Sequence, residues 1–394
     1  MTSATREFQV FVKPVGADCN LRCHYCYYLK KNSLTPGKPH PLMEDDILEE
    51  YVLQHISANT DNLITFSWHG GEPLLAGIDF YRKAVGYQKK YQPSGSKIIN
   101  GIQTNGTLLN NAWCRFLSEE RFIVGISIDG PGELHNCNRR TREDYNTFLN
   151  VLRGYELLQM HGVLPEILCV VNAENVCNPL IVYNFFKEIG TKYVSFLPLV
   201  ERNTDSPAGV TRNSVPSEEF GIFLSTIFDE WVEKDIGKIK IQIFEEAART
   251  AFNQEHTLCI FKVNCGGVPV VEYNGDFYSC DHYIDEEHRL GNISEHSLSY
   301  FLDNRAQKNF GEAKSLTLPK YCIECEVRSM CNGECPKNRF IISPDGEPRL
   351  NYLCSGYKHF FNHCRHFVET IASLTPKSHL RQAQGKPKGD FKSG

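Results

Sequence analysis

Two periodicities alternate through the first two thirds of the chain. Short β-rich runs occupy residues 8–15, 63–68, 97–103, 122–128, 166–171 and 193–199, most with a turn signal on the C-terminal side, as strands that deliver a loop have. Between them, residues 45–57, 80–91, 111–119, 145–161 and 179–189 carry apolar residues at helical spacing with polar faces. Pro179 suits a first helical turn, where its missing N–H costs nothing. Six such units predict an α/β architecture: an incomplete (β/α) barrel of parallel strands with right-handed crossovers. Residues 217–235 and 244–253 predict further helices leading to a second domain, and the polar stretch 201–214 predicts a mobile loop near the active face.

From Cys259 onward the sequence turns irregular and cysteine-rich, with a hairpin signal at Asn274-Gly275 between residues 268–273 and 276–279. Residues 376–394 hold lysine, glycine and glutamine with almost nothing apolar, which predicts disorder. The expected organisation is a barrel domain over 1–235, a cysteine-rich domain over 236–370 and a disordered tail over 371–394.

A chain of 394 residues, 41% hydrophobic, has enough material for a sizeable core, and a net charge of -5 gives no global field that would draw nucleic acid or an anionic membrane. No run of about eighteen apolar residues could span a bilayer, and the start lacks the charged, apolar and small-residue pattern of a signal peptide. A cytoplasmic protein is expected. Sixteen cysteines in that setting point to metal or redox chemistry rather than disulfides. Three lie between 19 and 26 and eight between 259 and 354. Cys114, Cys137, Cys169, Cys177 and Cys364 have no ligand spacing and read as mostly buried small apolar residues.

Cys19, Cys23 and Cys26 form Cys-x3-Cys-x2-Cys directly after the first strand. Three thiolates on one loop can hold three irons of a cubic [4Fe-4S] cluster and leave the fourth open. The competing reading is a structural zinc site, which wants a fourth ligand close by. Placement at a strand's C-terminal end, where α/β proteins put their active sites, favours the cluster.

With Tyr25 before the last cysteine, this loop resembles that of radical S-adenosylmethionine (SAM) enzymes. The resemblance implies a partial (β/α)6 TIM-type barrel, SAM chelated on the open iron, and reductive cleavage of SAM to a 5′-deoxyadenosyl radical. It also implies SAM contacts. Gly70, in His69-Gly-Gly-Glu-Pro73, would bind the ammonium end; Ser127 and Arg139 would bind the carboxylate end; Val200 and Tyr25 would lie near the adenine. Gln103, Asn105 and Asp129 sit at strand ends, where they read equally as turn formers or site residues.

Eight further cysteines, Cys259, Cys265, Cys280, Cys322, Cys325, Cys331, Cys335 and Cys354, suffice for two four-thiolate sites, iron–sulfur or zinc. This set resembles the SPASM extension of peptide-modifying radical SAM enzymes. That likeness implies two auxiliary [4Fe-4S] clusters, three in all. Cys259, Cys265, Cys280 and Cys335 would hold one, and Cys322, Cys325, Cys331 and Cys354 the other. Asp281 follows Cys280 and, by likeness to the anaerobic sulfatase-maturating enzymes, would be the catalytic proton acceptor. That family is similar over roughly residues 8 to 370, including Val12-Lys-Pro14, Gln103-Thr-Asn-Gly-Thr107 and Arg289-Leu-Gly-Asn-Ile293. The implied activity is oxidation of a sulfatase cysteine or serine, in a Cys/Ser-x-Pro-x-Arg segment, to Cα-formylglycine. SAM is consumed and a reducing electron donor is needed. Two alternatives stand beside it: a crosslink-forming peptide modifier of the SPASM type, and a non-catalytic zinc-binding interaction protein.

Overall fold

The computed structural model describes residues 3–29, 31 and 40–374. Seven strands run parallel in chain order: β1 (Phe11–Lys13), β2 (Leu63–Trp68), β3 (Lys97–Thr104), β4 (Ile123–Ser127), β5 (Glu166–Val171), β6 (Tyr193–Pro198) and β7 (Lys240–Ile241). Helices α1 (Asp45–Ala58), α2 (Ile78–Tyr91), α3 (Asn111–Glu119), α4 (Gly132–Asn138), α5 (Phe148–Met160), α6 (Pro179–Glu188) and α7 (Ser217–Lys234) fall in the connections, and α8 (Gln242–Ala251) follows β7.

Alternation along each strand sorts side chains to two faces. Trp68 on β2 meets Tyr51 of α1 and Phe80 and Tyr81 of α2 edge-on, and Phe196 on β6 meets Phe186 of α6 and Phe223 of α7. These rings form the core outside the barrel, each worth about 2 kcal/mol of apolar burial. Ser67, Gln103, Ser127 and Leu197 alternate with them and face the interior, where Leu197 stays 37% exposed. The sheet remains open at β7, as an incomplete barrel requires.

Its other edge is extended by the cysteine-rich half. Strand β8 (Val270–Glu272) pairs parallel with β1, and the hairpin partner β9 (Asp276–Tyr278) and then β10 (Arg289–Asn292) add antiparallel. The hairpin turn falls at Asn274-Gly275, with Gly275 at φ +85°. The two halves therefore share one sheet, and the end of β9 lies beside the barrel mouth.

Several elements depart from the sequence expectation. Strand β1 is three residues long because Pro14 offers no N–H and the chain turns at once, Gly16 adopting φ +53°. Helix α5 starts at Phe148 rather than 145, and α4 was not anticipated. The cysteine-rich half is more regular than expected. It contains α9 (Leu298–Asp303), α10 (Arg305–Leu316), the short turns α11 (Lys320–Ile323) and α12 (Arg328–Cys331), the small pair β11 (Arg339–Ile341) and β12 (Leu350–Asn351), and the long α13 (Cys354–Leu374). Helix α13 buries Tyr357, Phe360, Phe361, Cys364 and Val368 against α7 and α8. Residues 371–374, expected in the tail, are its last turn, while the remainder of the predicted disorder, 375–394, lies outside the described residues. Of the five unassigned cysteines, Cys114, Cys169 and Cys364 are buried, but Cys137 and Cys177 are exposed.

Candidate active site

The cysteine loop is clamped by backbone from two neighbouring segments. Gly71 N donates to Gly16 O (2.9 Å) and Glu72 N to Asp18 O (2.8 Å), while Arg22 N and His24 N donate to Arg140 O (2.8 Å) and Asn138 O (2.9 Å). A Cβ on Gly71 would sit 1.9 Å from Asp18 O, so this glycine is required by the loop contact itself. Gly70, at φ +123°, passes with its Cβ position 3.0 Å from Gly16 O. Arg142 ties the loop from outside, Nε donating to Cys19 O (2.8 Å) and Nη2 pairing with Asp18 (2.5 Å). Glu72 is fully buried and accepts from Leu74 N (3.0 Å), Thr104 Oγ1 (2.7 Å) and Asn105 N (2.8 Å), locking the loop after β2 to the loop after β3. Burial pushes its carboxyl up to about 7 against those hydrogen bonds.

Two donors aim at a thiol. Leu21 N lies 3.3 Å from Cys19 Sγ and Asn105 Nδ2 lies 3.7 Å from it, the latter also donating to Asn20 Oδ1 (2.9 Å). Burial raises the Cys19 thiol to about 12 and the Cys23 thiol to about 11. Each must give up that proton to bind iron, so binding releases protons.

Asp129 resolves as a hub rather than a turn residue. Wholly buried, it takes Arg139 bidentately (Nε 2.9 Å, Nη2 3.2 Å), accepts from Val170 N (2.9 Å) and from the Tyr25 hydroxyl, and Arg139 lies 5.5 Å from the Tyr25 ring centroid. Arg139 is therefore partly engaged within the protein, and its Nη1 has no hydrogen-bond partner among the described residues. Ser127 Oγ accepts from Gln103 Nε2 (3.1 Å) in the barrel interior, and Val200 is buried after β6. The 201–214 loop is bonded to itself, with Thr211 N donating to Glu201 O (2.9 Å), and Arg202 lies 5.6 Å from the Phe340 ring centroid on β11.

Asp281 stands where the β9 hairpin end meets the barrel. Tyr27, from the cysteine loop, donates to its Oδ2, and Lys13 Nζ of β1 lies 2.5 Å from Oδ1. Oδ1 is buried, and among the described residues the Lys13 ammonium is the group that meets it. Burial alone would raise the Asp281 carboxyl; the Lys13 charge, followed by His69 and His282, outweighs it and holds the group well below the usual range. Tyr28 donates to buried Glu272 on β8, whose carboxyl burial pushes up to about 7. Lys13, Tyr27, His69, Glu272 and His282 were not singled out from sequence. Lys13 carried a signal: a lysine inside an apolar strand must find a partner when buried.

The second thiol set divides in two. Cys322, Cys325, Cys331 and Cys354 line one pocket with about 310 Å³ of empty space, open solvent at its mouth included. Cys259, Cys265, Cys280 and Cys335 act on one another electrostatically. Lys314, fully buried, donates to Cys259 O (3.0 Å) and Ile260 O (2.7 Å), and Gln307 Nε2 ties Gly266 O (2.9 Å) to Ser279 O (3.1 Å). Arg339 donates to four carbonyls, those of Gly333, Lys314, Asn332 and Glu334. Among the described residues no three His, Cys, Asp or Glu converge as a single metal ion needs. A cubic cluster gives each thiolate its own iron and asks instead for thiols spread around a space, which the four-thiol pocket supplies.

Known proteins match this arrangement. The Radical SAM superfamily matches residues 14–173, and the iron-sulfur cluster-binding SPASM domain matches residues 265–326. A serine-type anaerobic sulfatase-maturating enzyme of Bacteroides thetaiotaomicron is 44% identical over 373 residues, 91% of this chain and 90% of the relative. A cysteine-type enzyme of Clostridium perfringens is 32% identical over 360 residues, 90% of this chain and 95% of the relative. The structure of anSMEcpe with bound AdoMet and Cp18Cys peptide superposes with TM-score 0.84 at 31% identity, covering 94% of this chain and 100% of that one. Fold, thiols and matches define a radical SAM enzyme that uses SAM and iron–sulfur clusters. Within that class the chain belongs to the anaerobic sulfatase-maturating enzymes; its activity is sulfatase maturation, conversion of a cysteine or serine to formylglycine. The crosslinking and zinc-binding readings are thereby set aside. No helix among the described residues is long and apolar enough to cross a membrane.

Proposed function

We propose that three [4Fe-4S] clusters serve this activity, held by Cys19, Cys23 and Cys26; by Cys259, Cys265, Cys280 and Cys335; and by Cys322, Cys325, Cys331 and Cys354. The grouping of the thiols supports this partition. Residues 1–235 would form the SAM-binding barrel and 236–370 the SPASM domain. Gly70, Ser127, Arg139, Tyr25 and Val200 would surround SAM; the spare Nη1 of Arg139 and the Ser127 hydroxyl are the donors for its carboxylate. When bound, SAM and the reduced cluster supply a radical that removes one β-hydrogen, and the auxiliary clusters give the surplus electron an exit.

The chain's own task is to hold the substrate residue and remove its proton. Asp281 is the acceptor, and the observation that carries this is its buried carboxylate where the β9 hairpin end meets the barrel, with Tyr27 on Oδ2 and, among the described residues, only the Lys13 ammonium, at 2.5 Å, on Oδ1. Losing one hydrogen atom, one proton and one electron turns a serine CH₂OH into an aldehyde. A cysteine gives a thioaldehyde, which water converts to the aldehyde with release of hydrogen sulfide.

The substrate is an unfolded sulfatase segment of the Cys/Ser-x-Pro-x-Arg kind, and an external one-electron donor reduces the barrel cluster. Serine-type relatives at 44%, 36% and 35% identity, against 32%, 33% and 30% for cysteine-type ones, support serine as an accepted residue. A cytoplasmic setting suits a chain none of whose sixteen cysteines is in a disulfide. The test is anaerobic incubation of reconstituted protein with SAM, reductant and paired Ser- and Cys-containing peptides, read by mass spectrometry. Aldehyde from the serine peptide, absent in Asp281→Asn, is expected. Conversion of the cysteine peptide alone would remove serine from the reading, and full conversion by Asp281→Asn would remove Asp281.

A further inference from the structure

Lys13 is 0% exposed, on the strand that joins the barrel to the cysteine-rich half. A buried ammonium is costly unless its hydrogens are engaged. Here three groups surround it: Asp281 Oδ1 at 2.5 Å, His69 Nδ1 at 3.2 Å, and the Tyr28 ring, its centroid 4.5 Å away. Two of these, His69 and Tyr28, are fixed in turn. His69 stacks flat on Phe11, with centroids 4.9 Å apart and planes 2° apart, and burial, followed by the Lys13 charge, lowers its imidazole to about 4, so Nδ1 can accept. Tyr28 is anchored by its hydroxyl on Glu272.

Asp281 has no comparable support of its own. It follows Cys280 at the hairpin end, and the side-chain groups that hold it come from elsewhere: Lys13 on Oδ1 and Tyr27 on Oδ2. Tyr27 is carried by the cysteine loop, whereas Lys13 is carried by the sheet. We infer that Lys13 is a positioning residue for the reaction: a sheet-borne charge, aimed by His69 and Tyr28, that fixes where Asp281 Oδ1 meets the substrate proton. This rests on Asp281 as proton acceptor. It also gives the joining of β8 to β1 a catalytic meaning, since slippage between those strands would move acid and ammonium apart.

A group that only stabilises the fold would change both products of the reaction together. A group that aims the proton acceptor would let hydrogen abstraction proceed and strand it, so SAM cleavage would outrun peptide oxidation. The experiment therefore compares Lys13→Met with the wild type on the same peptide, measuring 5′-deoxyadenosine and formylglycine, with amide hydrogen exchange of residues 278–284 on the protein as isolated. Expected is a loss of formylglycine on the order of a hundredfold, the scale of a misplaced reacting group. The deoxyadenosine-to-formylglycine ratio should rise at least about tenfold, with faster exchange over 278–284. A ratio equal to the wild type's overturns the inference, however far the rate falls. If Lys13→Met does not retain iron, His69→Leu takes its place, because it keeps the charge pair and removes only the acceptor that aims it; a raised ratio supports the inference and an unchanged one overturns it. Asp281→Asn separates the two levels. Wild-type product from it overturns the proton-acceptor reading and Lys13 with it, whereas an inactive Asp281→Asn beside a fully coupled Lys13→Met overturns Lys13 alone.

Discussion

The three thiols of the barrel loop and the eight of the C-terminal half are organised by different physics. The first three lie within eight residues, and what holds them is chiefly backbone: amides and carbonyls of the loops after β2 and β4 clamp a short segment, with Arg142 and Asn105 adding side-chain ties. The eight come from positions between 259 and 354, so loops of very different length must close on each site. There the ties are buried charged or amide side chains: Gln307 and Arg339 span carbonyls from separate segments, and Lys314 ties α10 to the carbonyls of Cys259 and Ile260. A local site can be built before its metal arrives. A dispersed one depends on long side chains and, in our reading, on the cluster itself.

The sharpest break of that comparison is to remove one thiol from each. Cys23→Ala should abolish 5′-deoxyadenosine formation and lower iron by roughly a third, with the melting temperature little changed, because the loop's clamp does not use the thiol. Cys331→Ala should lose a similar share of iron but unfold several degrees lower, since its pocket joins α11, α12 and α13. Iron and sulfide content with thermal unfolding decides it. Equal melting temperatures in the two variants would contradict the distinction.

A smaller perturbation uses glycine in both regions. The Cβ of Gly71→Ala would meet Asp18 O at 1.9 Å, and that of Gly311→Ala would meet Cys265 O at 2.5 Å, both of them backbone atoms that cannot swing aside. Each should cost about 3 kcal/mol of overpacking, but the functional outcomes should differ. Gly71→Ala displaces the cysteine loop and should suppress SAM cleavage. Gly311→Ala displaces Cys265 and should spare SAM cleavage while formylglycine falls. Both variants failing in the same way, by quantified deoxyadenosine and aldehyde, would show the two regions to be one cooperative unit.

The same contrast explains what could be read without coordinates. Residues 63–68 and 166–171 appear as strands at the expected positions because alternation there reflects a helix-covered outer face. The Cys19 loop was visible because its ligands are contiguous. The joint role of Lys13, His69 and Glu272 is not legible in any local pattern, although Lys13 stands out as a lysine in an apolar strand, because it comes from β8 pairing with β1 across some 260 residues. Asp129 reads from sequence equally as a turn former or a site residue, and its hub role stays hidden because its partners Tyr25 and Arg139 flank it from two different loops. Helix α13 was obscured by its cysteines and histidines, although Tyr357, Phe360, Phe361, Cys364 and Val368 keep helical spacing. Reading cysteine density as irregular structure overrode that period.

Two buried carboxylates, one per region, give the finest test, because they are shifted in opposite directions. Burial raises Glu72 to about 7 despite its three hydrogen bonds, whereas for Glu246 burial is outweighed by His256, Thr257 and Leu258, which hold it below its ordinary value. The signs follow from which state keeps the proton. Between about pH 4.5, where an ordinary glutamate ionises, and about 7, the folded protein retains a proton on Glu72 that the unfolded chain has lost. Stability from this group is therefore present at low pH and lost as pH rises through that window, by at most about 3 kcal/mol. Glu246 contributes above the ordinary value and loses its contribution on acidification below it. Glu72→Gln should thus flatten the neutral side of the stability–pH curve, and Glu246→Gln the acid side, whatever each does to absolute stability. Denaturant unfolding of the wild type and both variants from about pH 3 to about pH 8 reads the slopes. A wild-type slope on the neutral side in Glu72→Gln would mean that this carboxylate is already ionised in the folded protein, and that the first region, like the second, is held by a charge.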